Sequence, residues 1–573
     1  MAVARLSVTS AASNPDAATA NLSDEVELYQ RTYSTLLRSS GETRLRVLES
    51  SHRAMGSSLH PLAGSPELDL GAFLYAIQRL PEAIVRARII VMGQDAAVFA
   101  KAGVGPLEHW KVAEAPARRR RWYDGGDEVL AVLLASESDV DDLVPSLVAF
   151  QIEWNKIHQR AVATGWPLRD GATPEALSDA LGGAGDDWAR LRDIWGAAFE
   201  ERLTAIVERT KSMRLRQLGG TQVGYQRMTR RWWSPAHATL EAKRLLDAPL
   251  YFVSSNTHSL SNLVTGLARE NEDELVAFVE QGDHDDLQEE LMRFRSGATE
   301  GSWENFLYFV ARDYAEANPA GREERTKAEL AAGVEHLRSH TALRVASQVI
   351  PLAGLDPRRL DPRLGAVDAE RLSRSDAVIV NVDYPLGLAA YNLLHEVAVD
   401  SSGLRGAYSL GKAATLNADV GDVMISSVIH DEHTSTTYWL DNAFTVDDIA
   451  PDLMFGTGLD NQRAVTVKST FLQNRAYLDF YYREAFTVVE MEAGPYCSAV
   501  YEIGDPDRYP VDEAVNFSKL PLDFGIIHYA SDTPYTQART LGARGLSYYG
   551  MDSTYASSLA ILRRVLRLEG ALA

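Results

Sequence analysis

Two strand-like stretches of this sequence end in carboxylates. Residues 488–494 read VVEMEAG, so two β-branched residues lead directly into Glu490 and Glu492. Residues 525–533 read GIIHYASDT, and this largely apolar run ends at Asp532. A carboxylate at the end of a buried strand costs free energy unless something binds it. Ligands of open α/β sheets bind at the carboxyl ends of strands, so both stretches predict a ligand site.

A third polar stretch precedes these two in the chain. Residues 405–413 read RGAYSLGKA, and VGDVMI follows shortly after. Each stretch alone has an ordinary structural interpretation: a tight turn for Ser409 and Gly411, an N-cap for Asp532, and an ion pair with a buried arginine for Glu492. The combination of two strand-end carboxylates with this stretch favours a site over these interpretations.

Together and in this order, the three stretches resemble the nucleoside phosphorylase and nucleosidase superfamily. This group includes purine nucleoside phosphorylases, methylthioadenosine/S-adenosylhomocysteine nucleosidases and AMP nucleosidases, and its members read GSxGG…VGDVVI, VEMEA and SD. The matching text here is YSLGKAATLNADVGDVMIS, VVEMEAG and ASDT, and the resemblance covers residues 375–568. It implies an α/β fold with a mixed central sheet flanked by helices. It also implies cleavage of the N-glycosidic bond of a purine nucleoside or nucleotide, by phosphorolysis or by hydrolysis.

The resemblance assigns roles to residues on both sides of that bond. Asp532 falls on the general acid that protonates the leaving base, and Ser531 on the residue that orients it. Glu492 falls on the carboxylate that binds both ribose hydroxyls and favours the developing positive charge. Met491 falls where a side chain packs against the ribose. Phe471 matches the aromatic residue that stacks on the base, although its position alone is equally typical of a core residue.

The phosphate side of the pattern departs from the family. Ser409 and Gly411 match the loop that cradles phosphate or the attacking water, but Lys412 follows where a small residue is usual. The family's arginine lies three residues before the serine, and Arg405 is one residue away from that position. Arg544 matches an arginine that closes over the site, with a surface residue as the alternative. We find no match for the glutamate that activates water in the nucleosidases, so phosphorolysis and hydrolysis both stay open.

The first strand of such a sheet, with its phosphate loop, has two candidates. One is residues 345–350, and the other is residues 251–258, where a strand-like run leads into a turn rich in serine and asparagine. Such a turn before a helix exposes N–H groups to an anion, but it also fits a simple capped helix start, which we favour.

The amino-acid composition disfavours several classes of binding partner. The 57 basic and 79 acidic residues give a net charge of −22, which disfavours nucleic acid and anionic membrane surfaces. The arginine run at residues 118–121 is interpreted as a solvated face or an interface. The single cysteine, Cys497, excludes an intrachain disulfide and fits a reducing, cytoplasmic location, and no apolar run is long enough to span a membrane. We expect a small-molecule ligand, no cofactor and no metal, with phosphate as a candidate co-substrate.

The chain is too long for one ordinary hydrophobic core. Its composition and hydrophobic pattern divide it into three segments. Residues 1–22 are rich in Ala, Ser and Asn and predict a disordered tail. Residues 23–330 predict a mostly α-helical region of unknown role, which could shape the pocket, regulate it or build the homo-oligomer that we expect. Residues 340–573 alternate β-branched and helical runs, which predicts the α/β catalytic domain. The polar, breaker-rich residues 317–325 mark the boundary.

A non-catalytic sensor that uses the same pocket for a nucleoside or nucleotide is the alternative function. The unusual residues on the phosphate side favour it. The combination of Asp532 with Glu492 favours an enzyme, because binding alone requires no proton donor at the base.

Overall fold

The computed structural model describes most of the chain, in six ranges. These are residues 15–39, 41–165, 172–282, 284–517, 520–533 and 548–572. Within these ranges, no helix combines the length and the apolar character needed to cross a membrane.

The described residues form α-helices and two β-sheets. The helices α1 to α20 are, in order, Pro15–Ser39, Glu49–Ala54, Leu70–Arg79, Ala96–Lys101, Glu137–Thr164, Pro174–Leu181, Gly185–Trp195, Phe199–Glu208, Gln222–Ala242, Ser259–Thr265, Leu267–Glu270, Glu272–Gln281, Asp285–Ser296, Trp303–Ala317, Pro319–Ala331, Ala369–Arg374, Ala389–Asp400, Arg475–Arg483, Ala493–Gly504 and Tyr548–Leu568. The strands β1 to β17 are Thr43–Arg44, Ile89–Gly93, Lys111–Ala115, Arg118–Asp124, Val129–Leu133, Arg214–Leu218, Leu250–Ser255, Glu335–Leu337, Ser347–Pro351, Val378–Asp383, Leu404–Thr415, Val423–Asp431, Thr436–Leu440, Gly458–Thr466, Val488–Glu490, Ala514–Phe517 and Asp523–Asp532.

The smaller sheet has six strands in the order β1-β6-β2-β5-β4-β3. Strand β2 pairs in parallel with β5 and β6, whereas β4, which contains the arginine run, pairs antiparallel with β5 and β3. The long helix α5 packs against α3 and α8. A capping box of Ser136 and Asp139 starts α5, and Gly165 ends it in the left-handed conformation. This sheet adds strands to the helices that the sequence predicts for the N-terminal region.

The larger sheet has eleven strands and is mixed. Most of it follows the order β16-β13-β12-β14-β15-β11-β7-β10-β9-β8, and β17 pairs with β11 and β12. Strands β7, β10 and β11 are parallel neighbours, β17 runs parallel to β11, and β15 runs antiparallel to β11. Helix α19 packs against β12 and β14, and helix α20 packs against β11 and β17. The α/β fold class with a mixed sheet flanked by helices is therefore confirmed.

Strand β7 places part of the N-terminal region inside the larger sheet. Its six residues are all buried, and it is hydrogen-bonded to β10 on one edge and to β11 on the other. The predicted domain boundary near residue 330 therefore does not separate the larger sheet from the N-terminal region, because the central strand β7 precedes that boundary in the chain. The breaker-rich residues 317–325 lie largely in helix α15. Helix α1 begins at Pro15, inside the stretch 1–22 that the sequence predicts to be disordered, and residues 1–14 lie outside the described ranges.

Elements of the smaller sheet lie over one edge of the larger one. Strands β7 and β10 run in the same direction, so their carboxyl ends meet at this edge. Arg119 of β4 forms an ion pair with Asp383 at the end of β10. At the start of α5, Ser138 Oγ accepts a hydrogen bond of 2.9 Å from the backbone N–H of Leu388. These contacts close a cavity between the two sheets.

Candidate functional site

A cavity of about 820 Å³ lies where the strand ends of the larger sheet meet the β3–β4 hairpin and helices α3 and α5. Its size is that of a small-molecule site. Six of the nine residues that the sequence predicts for the site line this cavity: Ser409, Gly411, Met491, Glu492, Ser531 and Asp532. The structure thus brings together residues from three separate stretches of the chain.

The turn after β15 directs two consecutive side chains into the cavity. Strand β15 ends at Glu490, and Met491 and Glu492 form a bend before helix α19 begins at Ala493. In a regular strand, Met491 and Glu492 would point to opposite faces. Because the strand ends before them, both line the cavity. Both side chains can therefore contact the same ligand.

Glu490 holds this turn in place. Its Oε2 accepts hydrogen bonds from the backbone N–H groups of Glu492 at 2.6 Å and Ala493 at 2.7 Å, and its Oε1 accepts one from the Thr466 hydroxyl. These are the N–H groups that the start of a helix leaves without intrahelical partners. Burial and the charge of Glu492 raise the pKa of Glu490 to about 8. We therefore regard Glu490 as a residue that positions Glu492.

Glu492 faces the cavity with one oxygen already bound. Its Oε1 accepts a hydrogen bond of 3.0 Å from the backbone N–H of Gly387. Burial raises its pKa to about 7, against the opposing effects of that hydrogen bond and of the charge of Arg118. The carboxyl group therefore ionises near neutral pH, and as a carboxylate it can accept two hydroxyl hydrogen bonds.

Asp532 and Ser531 end strand β17 beside β11. Asp532 is buried and pairs in register with Ala414, after an irregularity at residues 413–414. Ser531 Oγ donates a hydrogen bond of 3.3 Å to the backbone oxygen of Ala413. The carboxylate predicted as the general acid is thus held at a strand end, where a ligand can reach it.

Ser409 and Gly411 lie within a strand and not in a loop. Strand β11 continues to Thr415, because β17 on one edge and β15 on the other pair with it up to that region. The next residue, Lys412, also lines the cavity. Burial lowers the pKa of Lys412, while the charges of Asp532 and Asp383 oppose that effect. Lys412 therefore belongs to the same electrostatic group as these two carboxylates.

Asp383 and Arg119 are site residues that the sequence analysis missed. Asp383 ends β10, and its carboxylate pairs with Arg119, which also donates to the backbone oxygen of Tyr384 at 3.0 Å. Burial raises the pKa of Asp383. The sequence contained a signal for Asp383, since VIVNVD is again an apolar run that ends in a carboxylate. No sequence signal linked the arginine run, a predicted face or interface, to this strand end.

Of the other three predicted residues, two lie away from the cavity and the third is outside the described ranges. Phe471 is buried beneath it, with its ring edge-on to Tyr75 at 5.2 Å, so it is a core residue. Arg405 lies at the opposite end of β11 from Lys412, roughly 23 Å away for a strand of this length, and binds Glu569 at 2.9 Å. Arg544 lies outside the described ranges.

The turn after β7, one of the two candidates for a phosphate loop, is a capped helix start. Asn256 Oδ1 accepts hydrogen bonds from the backbone N–H groups of His258 at 3.0 Å and Ser259 at 2.6 Å. Of the other candidate, residues 345–350, the last four belong to β9, so both segments contribute strands to the larger sheet. The prediction of a capped helix start is therefore confirmed.

Comparison with known proteins identifies the family of the chain. Residues 45–567 match the model of a family of unknown function, DUF6909. The chain belongs to this family. A search of curated proteins gave no match for this DUF6909 member.

Solved structures show only distant likenesses to this DUF6909 chain. A 5′-methylthioadenosine/S-adenosylhomocysteine nucleosidase from Neisseria meningitidis, in complex with methylthio-immucillin-A, is 11% identical over 55% of this chain and 98% of its own, with a TM-score of 0.29. An S-adenosylhomocysteine nucleosidase from Streptococcus pyogenes, in complex with 5-methylthiotubericidin, is 9% identical over 56% and 98%, with a TM-score of 0.30. A methylthioadenosine phosphorylase from an Antarctic soil metagenomic library is 10% identical over 34% and 72%, with a TM-score of 0.26. Likenesses this distant carry no argument about what the chain does.

Proposed function

We propose that this protein cleaves the N-glycosidic bond of a purine nucleoside or nucleotide. One observation carries the proposal: Glu492 and Asp532, which the motif resemblance assigns to opposite sides of that bond, line one cavity. Ala414 of β11 pairs with Val489 of β15 and with Asp532 of β17, so these two strands flank β11. Two strand spacings amount to roughly 10 Å, which is wide enough for a sugar and a base between the two carboxyl groups.

Each carboxyl group has a separate task in this reaction. As the bond from the sugar to the base breaks, the bonding electrons leave with the base, and Asp532 gives a proton to the base. Positive charge then develops on the sugar. The Glu492 carboxylate, hydrogen-bonded to the two ribose hydroxyls, stabilises that charge. The preformed position of Glu492, set by Glu490 and Gly387, reduces the cost of ordering it during the reaction.

The nucleophile is the second half of the proposal. Asp383, Arg119 and Lys412 meet near the strand ends of β10 and β11, where the sugar would present its other face. The two cationic side chains suit phosphate, whereas the carboxylate suits removal of a proton from water. We propose that this group binds the nucleophile. Whether the reaction requires phosphate will show if that nucleophile is phosphate or water.

Incubation of the purified full-length protein with candidate substrates tests the function. Adenosine, inosine, AMP and methylthioadenosine are each incubated with and without phosphate, and released base is measured by chromatography. Release only with phosphate identifies phosphorolysis, and release without phosphate identifies hydrolysis. No release, combined with a rise in melting temperature on adding a ligand, would instead identify the non-catalytic sensor.

The variant Asp532→Asn tests the general acid. The amide has no acidic proton to give to the base, so we expect kcat to fall by about 100- to 10,000-fold, the usual contribution of general acid catalysis. Asp507→Asn removes the same charge at an exposed position and is the control. Full activity of Asp532→Asn would show that the proposed mechanism is wrong.

A further inference from the structure

Three buried hydrogen-bond donors at one end of the cavity have no partner among the residues that the structure describes. Tyr75 and Arg79 are one turn apart on α3, Arg120 is on β4, and all three residues line the cavity. Within the described ranges, no acceptor is bonded to Tyr75 Oη, Arg79 Nε or Arg120 Nη1, although all three atoms are buried. Buried donors are almost always paired in folded proteins. This end of the cavity is therefore prepared for a group with several acceptor atoms.

Arg79 is the decisive member of this group. It is only 3% exposed, its guanidinium lies over the Tyr75 ring at 3.2 Å, and its Nη1 donates to the Tyr75 backbone oxygen at 3.0 Å. No carboxylate in the described part of the chain forms an ion pair with it. Burial and the charges of Arg118 and Arg120 lower its pKa to about 10, so it stays charged at neutral pH. A buried charge without a counter-ion is costly, so the site calls for an anion.

The neighbouring charges leave the cluster positive. Arg118 binds Asp142 through hydrogen bonds of 3.0 and 2.8 Å. Arg120 pairs with Asp139 at 2.7 Å and also with Asp142. Three guanidinium groups, including that of Arg79, thus face two carboxylates. Within the described residues, Arg79 is the one of these three arginines that forms no ion pair.

This cluster lies next to the proposed sugar site. Ser138 Oγ accepts a hydrogen bond of 2.9 Å from Leu388 N, and the adjacent Gly387 donates its N–H to Glu492 at 3.0 Å. Asp139, the neighbour of Ser138 in the chain, pairs with an arginine of the cluster. An anion bound there is therefore close to the carboxylate that would hold the ribose hydroxyls.

We propose that Tyr75, Arg79 and Arg120 bind a phosphoryl group carried by the sugar, so that the substrate is a nucleotide and not a nucleoside. The sugar site rests on the proposed function, whereas the anion site rests on these three residues alone. A phosphoryl group brings three strong acceptor oxygens and a negative charge, which matches three donors and the cation of Arg79. Free inorganic phosphate shares this chemistry, and titration of phosphate alongside AMP and adenosine distinguishes the two sources.

Binding measurements on the full-length protein test the inference. AMP, adenosine and inorganic phosphate are each titrated by calorimetry into the unmodified protein and into Arg79→Gln. We expect AMP to bind about 10- to 100-fold more tightly than adenosine, the range for a hydrogen bond to a charged group. Arg79→Gln should abolish this preference and leave adenosine binding unchanged. Arg88→Gln, which removes an exposed arginine of the same region, should retain it.

Several results would overturn the inference. One is equal affinity of the unmodified protein for AMP and adenosine, and another is an equal loss of both affinities in Arg79→Gln. Inorganic phosphate that binds together with adenosine, and only when Arg79 is present, would identify the anion as a free co-substrate.

If Arg79→Gln does not fold, Arg79→Lys keeps the charge but not the fork of donors, and it should reduce the preference. Tight, Arg79-dependent binding of AMP without release of base would refute cleavage and support the anion site.

Discussion

Glu490 and Glu492 are two neighbouring carboxyl groups that burial drives towards the neutral form. From an ordinary value of 4.5, the pKa of Glu490 rises to about 8 and that of Glu492 to about 7. Between about pH 4.5 and about pH 8, the folded protein holds a proton on Glu490 that the unfolded chain has released. The free energy of unfolding therefore falls as pH rises through this window, by at most about 1.4 kcal/mol per pH unit for each group.

The variant Glu490→Gln should lose the part of this pH dependence that comes from Glu490. Its amide cannot ionise, but its carbonyl oxygen can still accept from the N–H groups of Glu492 and Ala493. The melting temperature of the variant relative to the unmodified protein should therefore rise from about pH 5 to about pH 8 and then level off. Glu27→Gln, on an exposed face of α1, is the control and should follow the unmodified protein. A difference that does not change with pH would contradict the proposed ionisation.

Single residues of the site could be predicted where they come at the end of an apolar, strand-like run. Glu492 and Asp532 follow apolar runs, and Asp383 also follows one, although it was not among the predicted site residues. Arg79 carries no such signal, because it reaches the cavity only through the packing of α3 against the rest of the protein. Phe471 illustrates the opposite error: its spacing before the VEMEA motif fits a stacking residue, but its ring is buried under Tyr75.

At the scale of elements, the site depends on the close approach of α19 to the sheet. Gly494 is in the first turn of α19, and a Cβ added there would lie 2.5 Å from Cβ and Cγ of Asp431 on β12. Its N–H also donates to Thr466 Oγ1 at 2.8 Å, the hydroxyl that binds Glu490. A side chain at this position must push the start of the helix away from the sheet, and Glu492 would move with it.

Gly494→Ala should therefore lower both stability and activity. Overpacking of this kind typically costs about 1–3 kcal/mol of unfolding free energy. Gly504→Ala is the matched control, because it lies at the other end of the same helix and its Cβ would approach Pro521 only to 3.7 Å. Thermal unfolding and the base-release assay measure the two effects. Equal behaviour of the two variants would show that Glu492 does not depend on the close fit of α19.

Helices and strands could be predicted where the local sequence pattern determines them. They could not be predicted where pairing with a distant strand determines their extent. The β-branched runs at residues 377–382, 423–429 and 487–491 predict strands, and the structure has β10, β12 and β15 there. Strand β11 extends through Ser409 and Gly411 because β17 pairs along its edge, which no local pattern reveals. The boundary near residue 330 was placed by breaker residues, whereas the central position of β7 follows from long-range hydrogen bonding.

At the scale of the whole molecule, the two sheets share one core and one cavity. Val91 of the smaller sheet and Val380 of the larger sheet belong to the same continuous cluster of buried side chains. Helix α9 adds polar links, since Trp232 Nε1 donates to the Val345 oxygen at 2.7 Å and Trp233 Nε1 to Asp400 at 2.5 Å. The carboxylates come from one sheet and the arginine cluster from the other part of the chain. Neither half alone contains both ends of the proposed site.

Scanning calorimetry of the full-length protein tests this shared core. Because the buried cluster is continuous, we expect the two sheets to unfold in one transition, although a chain of this length commonly unfolds in steps. AMP at about 100 times its dissociation constant should raise the unfolding free energy by about 2.7 kcal/mol and shift the whole transition upward. Arg79→Gln should show a smaller shift at the same concentration of AMP, because it binds less of it. Two transitions, of which AMP moves only one, would mean that the halves fold independently and that the ligand contacts one of them.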